Sequence, residues 1–261
     1  MNPHQLIQEA FSKQASRFEE KSLTLANPEY LQWMITPLTL QSNFWVLDVA
    51  AGTGHLSRAL APRVKQVVAI DATPAMLAQG KHSAHQANLK NIFFLRGFAE
   101  ALPFPDHTFD RVVCRFALHH FVNPQIQIDE MVRVCRPHGK VGIIDLVSPE
   151  NEAQAANYNR LERLRDPSHT RALTATELNN LLREAGLTGI SSESRRIQVN
   201  VQRWLDLTDP DPETRQVILE ELSREIQGSG STGMDPFMQD QQLMFFHTWM
   251  VVVGIKGEEA G

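Results

Sequence analysis

Five short apolar runs separated by helical stretches occupy the middle of the chain, and this alternation constrains the fold more than any other feature. The runs are FWVLDVA from Phe44, KQVVAID from Lys65, NIFFLRG from Asn91, FDRVVCRFAL from Phe109 and GKVGIIDLV from Gly139. Between them, SRALAPRV, TPAMLAQGKHSAHQAN and NPQIQIDEMVRVCRP have helical character, with Thr73 as a cap and Pro74 in the first turn. The runs are continuous rather than alternating, which predicts strands buried on both faces, hence a parallel sheet between helices. In such doubly wound α/β folds, ligands bind beyond the carboxyl ends of the strands.

The flanking segments are expected to complete the fold. Residues 3–20 read as an amphipathic helix, and Asn27 with Pro28 starts a helix to Ile35. After Pro149 helices are expected over 150–165 and in TATELNNLLREAGL, ending at Gly186. A strand follows over 188–200, then two helices broken by Asp-Pro pairs. GSGSTGMDP is a loop and LMFFHTWMVVVGI a closing strand. The expected organisation is residues 1–43 as an N-terminal helical lid, 44–199 as a core and 200–240 as a helical cap. Residues 241–261 are expected to add the closing strand and a tail.

The first strand leads into a glycine turn, VLDVAAGTGHLSR. Gly52 and Gly54 permit a tight turn and a close ligand approach. A dinucleotide fingerprint calls for a third glycine where this chain has Ser57. Asp71 ends the second strand, 17 residues after Gly54. Its carboxylate can accept from both hydroxyls of a ribose, or can sit at the N-terminal end of the next helix dipole. Asp48, inside the first run, suits a cationic amino group better than a pyrophosphate, which wants backbone donors. A nucleoside with a ribose, an ammonium group and no phosphate is S-adenosylmethionine.

From about Phe44 to Leu187 the chain resembles the class I methyltransferases that use S-adenosylmethionine, and among them the small-molecule group similar to the enzymes of ubiquinone and menaquinone biosynthesis. LDVAAGTGHLS resembles the first motif of that family, with Ala50 where glycine is commoner. AIDATPAML resembles its ribose motif, GFAEALPFPDHTFDRVVCRFALHHF its adenine and fourth-strand motifs, and EMVRVCRPHGKVGIIDLVSPE its fifth-strand segment. The resemblance implies a Rossmann-like, mostly parallel seven-stranded sheet with an antiparallel last strand. It implies cofactor contacts at Asp48, Ala50, Gly52, Gly54, Asp71, Ala72, Met76, Phe98, Ala99, Glu100 and Arg115. Phe98 departs from the family pattern, in which an Asp often accepts from the adenine amino group. A phenyl ring cannot accept that bond; the backbone around Phe98–Ala99 can still read the adenine edge with the ring lying against it, or Phe98 packs in the core.

The implied reaction is methyl transfer to a small, apolar or aromatic acceptor, leaving S-adenosylhomocysteine. Orientation supplies most of such a rate, and a base is needed only where the acceptor must lose a proton. His119 and His120 directly follow the fourth strand and are candidates for that base; packing under the cofactor and capping the loop are the alternatives. His120, one residue deeper into the loop, is expected to face the acceptor more than the strand. Asp145 ends the fifth strand and orients either the substrate or a histidine. In ERLRDPSHTR, Arg165, Asp166 and His169 bind the acceptor, or Arg165 and Asp166 pair to anchor a turn at Pro167. Phe11 and Phe18 belong to the expected lid and are candidate acceptor contacts.

Composition narrows the partners. The formal net charge of −5, with no basic stripe, argues against nucleic acid. The two cysteines, Cys114 and Cys135, read as reduced core thiols, no metal site is expected, and no run approaches a membrane span. The start MNPHQLIQEAF has no leader pattern, so the expected location is the cytoplasm; a homodimer is left open. A nicotinamide oxidoreductase and a catalytically silent S-adenosylmethionine-binding regulator are the rival readings.

Overall fold

The computed structural model describes residues 24–258 together with residues 8, 11, 12 and 15. Of the helix expected over 3–20, residues 8, 11 and 12 are described and helical, while Phe18 lies outside the described residues. Among the described residues, eight strands form one sheet: β1 (Trp45–Val49), β2 (Gln66–Asp71), β3 (Ile92–Arg96), β4 (Phe109–Arg115), β5 (Cys135–Val147), β6 (Leu187–Asn200), β7 (Phe237–Gln239) and β8 (Gln242–Lys256). Their order is β3-β2-β1-β4-β5-β8-β6, with β7 paired to the start of β8. Neighbours from β3 through β5 are parallel, and β8 runs antiparallel to both β5 and β6. The order turns back at β1, whose neighbours are β2 and β4, so a crevice opens beyond its carboxyl end.

Helices α1 (Pro28–Ile35), α2 (His55–Leu60), α3 (Pro74–Gln86), α4 (Pro124–Val134), α5 (Glu152–Arg165), α6 (Ala175–Glu184), α7 (Val201–Thr208) and α8 (Pro212–Ile226) surround the sheet. Alternate residues of the apolar strands feed two cores, one on each face. Leu47, Val49, Val112 and Ile143 pack with α4 and α6, while Val46, Val113 and Ile144 pack with α1 and α2. A third cluster joins Tyr158 and Leu161 of α5 to Trp204, Leu205, Ile218 and Leu222 of α7 and α8, and to Phe245 of β8. Cys114 and Cys135 are buried free thiols. Among the described residues no helix is long and apolar enough to cross a membrane.

Local chemistry explains most element boundaries. Asn27 caps α1 by accepting from Glu29 N, and Thr174 with Glu177 forms a reciprocal capping box on α6. Thr73 holds the cap position of α3 but its side chain makes no capping bond; Asp71 Oδ1 accepts from Thr73 N instead, at 2.8 Å. The short strand β7 falls in sequence outside every expected strand. It is a hairpin arm of three residues, too short to show a period.

Candidate active site

The glycine turn connects β1 to α2. Ala50, Gly52 and Gly54 all have positive φ, of 53°, 56° and 76°. Ala50 therefore occupies a conformation that suits glycine, which fits the commoner residue there. Gly80 of α3 allows the opposite wall to close in, since a Cβ there would stand 2.9 Å from Thr53 O. Ser57, where a dinucleotide turn would carry glycine, donates its hydroxyl to Asp48 Oδ2 at 2.5 Å. The serine thus holds a carboxylate that a phosphate-binding turn would not need.

Beyond the turn lies a cavity of about 450 Å³. Every cofactor contact expected from sequence lines it except Gly54: Asp48, Ala50, Gly52, Asp71, Ala72, Met76, Phe98, Ala99, Glu100 and Arg115. Gly54 forms the N-cap of α2 immediately behind. Burial pushes Asp48 up to about 7, against the lowering effects of the Ser57 hydroxyl and the Arg115 charge. Asp71 is also raised by burial, and its two oxygens accept from Gly52 N and Thr73 N, each at 2.8 Å. Asp71 therefore shapes the turn as well as facing the cavity. Arg115 donates to Leu25 O at 2.6 Å and lies over the Phe116 ring at 4.7 Å.

Four cavity-lining residues carry a buried polar atom with no hydrogen-bond partner: Asp48 Oδ1, Thr53 Oγ1, Arg115 Nε and Gln127 Oε1. Such atoms are costly unless a ligand satisfies them. Thr53 and Gln127 escaped the sequence reading. Thr53 sits between the two glycines, and Gln127 lies one turn before Glu130 in an otherwise ordinary amphipathic helix.

A second cavity of about 260 Å³ adjoins the first, and Phe11, Leu25, Phe116 and His120 line both. His119 lines the second alone, with its Nδ1 2.6 Å from Asp145 Oδ1. Asp145 also accepts from Leu146 N at 2.7 Å and lines neither cavity. Its sequence-level alternatives thus resolve spatially toward holding the histidine. Burial pushes His119 down, but the Asp145 carboxylate more than reverses this and leaves it raised. His120 Nδ1 faces Ser168 O at 3.0 Å, an atom that only accepts, so Nδ1 carries the proton. Burial and the neighbouring His119 push His120 down to about 4. The Phe11 ring stands edge-on to His120 at 5.0 Å, and Gln8 Nε2 donates to Ala72 O, so the N-terminal segment touches both cavity walls.

Arg165 and His169 line the second cavity, as does Asp166. Arg165 contacts Glu162 at 3.2 Å and lies over the Trp204 ring at 5.1 Å, while Glu162 also meets His247 Nε2 at 2.8 Å. Burial pushes Glu162 up, and the His247 and Arg165 partners outweigh it, bringing it to about 2. His169 Nε2 bonds Asn159 Oδ1 at 2.8 Å, and burial with His119 nearby lowers it to about 3. Asp166 Oδ1 accepts from Ser168 N and Oγ, while Thr170 N and Arg171 N donate to His119 O. The segment after α5 therefore lines the cavity and forms a turn, held by Asp166 and Ser168, while Arg165 pairs with Glu162. The Glu162–His247 and Ser168–His120 contacts were not legible, because they join residues 85 and 48 positions apart.

A family model described as a methyltransferase domain matches residues 46–139. The uncharacterized methyltransferase YcgJ of Bacillus subtilis (strain 168) is 32% identical over 195 residues, which are 75% of this chain and 77% of that one. The crystal structure of YcgJ aligns with a TM-score of 0.80 at 27% identity, covering 89% of this chain and 100% of its own. The ubiquinone/menaquinone biosynthesis C-methyltransferase UbiE of Coxiella burnetii (strain Dugway 5J108-111) is 36% identical over 129 residues, 48% of this chain and 52% of that relative. The chain thus spans about half the length of UbiE. By its glycine turn and buried Asp48, its sheet order and these likenesses, the chain belongs to the class I S-adenosylmethionine-dependent methyltransferases.

Proposed function

We propose that the larger cavity binds S-adenosylmethionine and that the adjoining one holds a small apolar or aromatic acceptor. The observation that carries this reading is the shared wall of Phe11, Leu25, Phe116 and His120 between the two cavities. The residues present fit the cofactor. Asp48 has a buried, unpartnered oxygen to meet an ammonium group, and cation binding would pull its raised pKa down. Asp71 has lone pairs remaining for ribose hydroxyls after accepting its two backbone bonds. Met76 and Phe98 offer apolar surface for a base.

When bound, S-adenosylmethionine supplies a methyl group on a sulfonium leaving group, with S-adenosylhomocysteine as product. The chain's own work is orientation in a largely dry site, which can contribute roughly 7–11 kcal/mol. His119, held through Nδ1 by Asp145, keeps Nε2 available and receives a proton from an acceptor that must lose one. His120 stays neutral, with its protonated Nδ1 tied to Ser168, and offers Nε2 as a hydrogen-bond acceptor at the junction of the cavities. Arg165, His169 and Phe11 form the acceptor walls, Trp204, Leu207 and Met244 make them apolar, and α7 with α8 acts as the cap. Two buried reduced thiols agree with a cytoplasmic location.

The test is to incubate the protein and labelled S-adenosylmethionine with phenols, quinone precursors, thiols and cell extract, and to look for a mass-shifted product. A labelled product from an apolar or aromatic compound is expected. Transfer only to a highly charged acceptor would overturn the substrate reading, and failure of the folded protein to bind S-adenosylmethionine would overturn the cofactor reading.

A further inference from the structure

The base of an adenine nucleoside presents an exocyclic amino donor beside a ring-nitrogen acceptor, and a cavity that recognises it needs the complementary pair. Phe98 lines the first cavity, but its phenyl ring offers neither. The loop that contains it is gripped from the other side by α4. Glu130 Oε2 accepts from Leu102 N at 2.8 Å, while Arg133 donates to Leu102 O and Phe104 O. Gln127 lies three residues before Glu130, hence on the same face of α4 and one turn nearer the cavity. The residue is 7% exposed, it lines the cavity, and its Oε1 is buried without a partner.

A carboxamide carries a donor and an acceptor side by side, and rotation about its last bond exchanges them at little cost. Such an amide pairs in two-point fashion with the amino group and a neighbouring nitrogen of adenine. Resting on the reading that this cavity holds S-adenosylmethionine, we propose that Gln127 reads the adenine base. It supplies from α4 the acceptor that Phe98 cannot. The other unpartnered acceptors of the cavity, Asp48 Oδ1 and Thr53 Oγ1, belong to β1 and the glycine turn.

The experiment is calorimetric binding of S-adenosylhomocysteine and of its analogue lacking the 6-amino group. Both ligands are titrated into the full chain, Gln127→Met and Gln127→Glu, with melting curves confirming that each variant is folded. Methionine keeps the bulk without an amide, and glutamate keeps an acceptor. The wild-type chain should prefer the amino-bearing ligand by about tenfold, as for one hydrogen bond plus the cost of leaving its partner unmet. Gln127→Met should lose most of that preference while binding the analogue about as well as the wild type does. Gln127→Glu should keep the preference. Equal weakening of both ligands in Gln127→Met, or no preference in the wild type, would overturn the role of Gln127 while leaving the cofactor reading intact. No binding of either ligand to folded wild-type protein would overturn both.

Discussion

His119 Nδ1 lies 2.6 Å from Asp145 Oδ1, with both side chains buried beyond the ends of β4 and β5. A carboxylate accepts only, so it fixes the proton on Nδ1 and stabilises the imidazolium. Replacing Asp145 with Asn removes that charge, and the His119 pKa should fall. Nuclear magnetic resonance titration of the His119 ring checks this; an unchanged midpoint would separate the two groups. The same pairing gives a stability signature: a raised histidine stabilises the fold fully below its unfolded pKa, and this contribution is lost as pH rises through the folded value.

Turnover should depend on His119 more than on His120. His119→Ala is expected to lower turnover by about 10²-fold or more toward an acceptor that loses a proton, with cofactor affinity nearly unchanged. His120 lines both cavities, so His120→Ala should change affinity for both ligands and carry little extra pH dependence. Turnover against pH, beside separately measured affinities, decides between them. Unaltered turnover in both variants across pH 5–8, where histidine changes charge, would leave orientation alone as the catalytic device.

Asp48 couples function to stability in opposing senses. Its pKa of about 7 stands above the usual carboxylate value of 3.8, so its contribution to stability is fullest at low pH and is lost as pH rises toward 7. Asp48→Asn should therefore melt higher than the parent at pH 8. The same change should weaken S-adenosylhomocysteine binding by roughly 1.5–3 kcal/mol, the loss of a bond to a charged group. Calorimetry and thermal melts at pH 6 and 8 test the pair. A variant that binds normally would free Asp48 from the ammonium role.

Asp71→Ala should also weaken cofactor binding by roughly 1.5–3 kcal/mol. Because Asp71 also accepts from Gly52 N and Thr73 N, the variant should lose hydrogen-exchange protection at those two amides. Lost affinity with both amides still protected would place Asp71 on the ligand alone. Lost protection with affinity unchanged would make it a turn residue only.

Glu162 is buried against His247 and Arg165. Its pKa, lowered from 4.5 to about 2, stabilises the fold above pH 4.5, and that contribution disappears as pH falls toward 2. Glu162→Ala leaves Arg165 without its carboxylate and the His247 ring without its hydrogen-bond partner, and should destabilise by roughly 3–5 kcal/mol. Melts at pH 7 and pH 3 check this, since the gap between variant and parent should narrow in acid. A gap that stays constant would contradict the ion-pair origin.

The strands and the glycine turn were legible because they depend on local pattern: continuous apolar runs from Trp45 to Val147, and glycines at positive φ. Asp48 was legible because a carboxylate inside such a run demands a reason. Gln127 was not, since a glutamine on an amphipathic helix has no local oddity and becomes informative only when its buried oxygen proves unpartnered. Glu162 and His247 are 85 positions apart and meet through the return of β8. The HisHis and AspProSerHis segments were each visible, but the bonds between them, such as His120 Nδ1 to Ser168 O, were not. Phe18 lies outside the described residues.

A crystal structure of the full chain with S-adenosylhomocysteine tests the central claim most directly. The amino group should lie at Asp48, the ribose at Asp71 and the base between Met76 and the Phe98 loop, with the sulfur toward the wall shared by Phe116 and His120. Density for the ligand outside that cavity, or with its sulfur turned away from the His119 and His120 side, would contradict it.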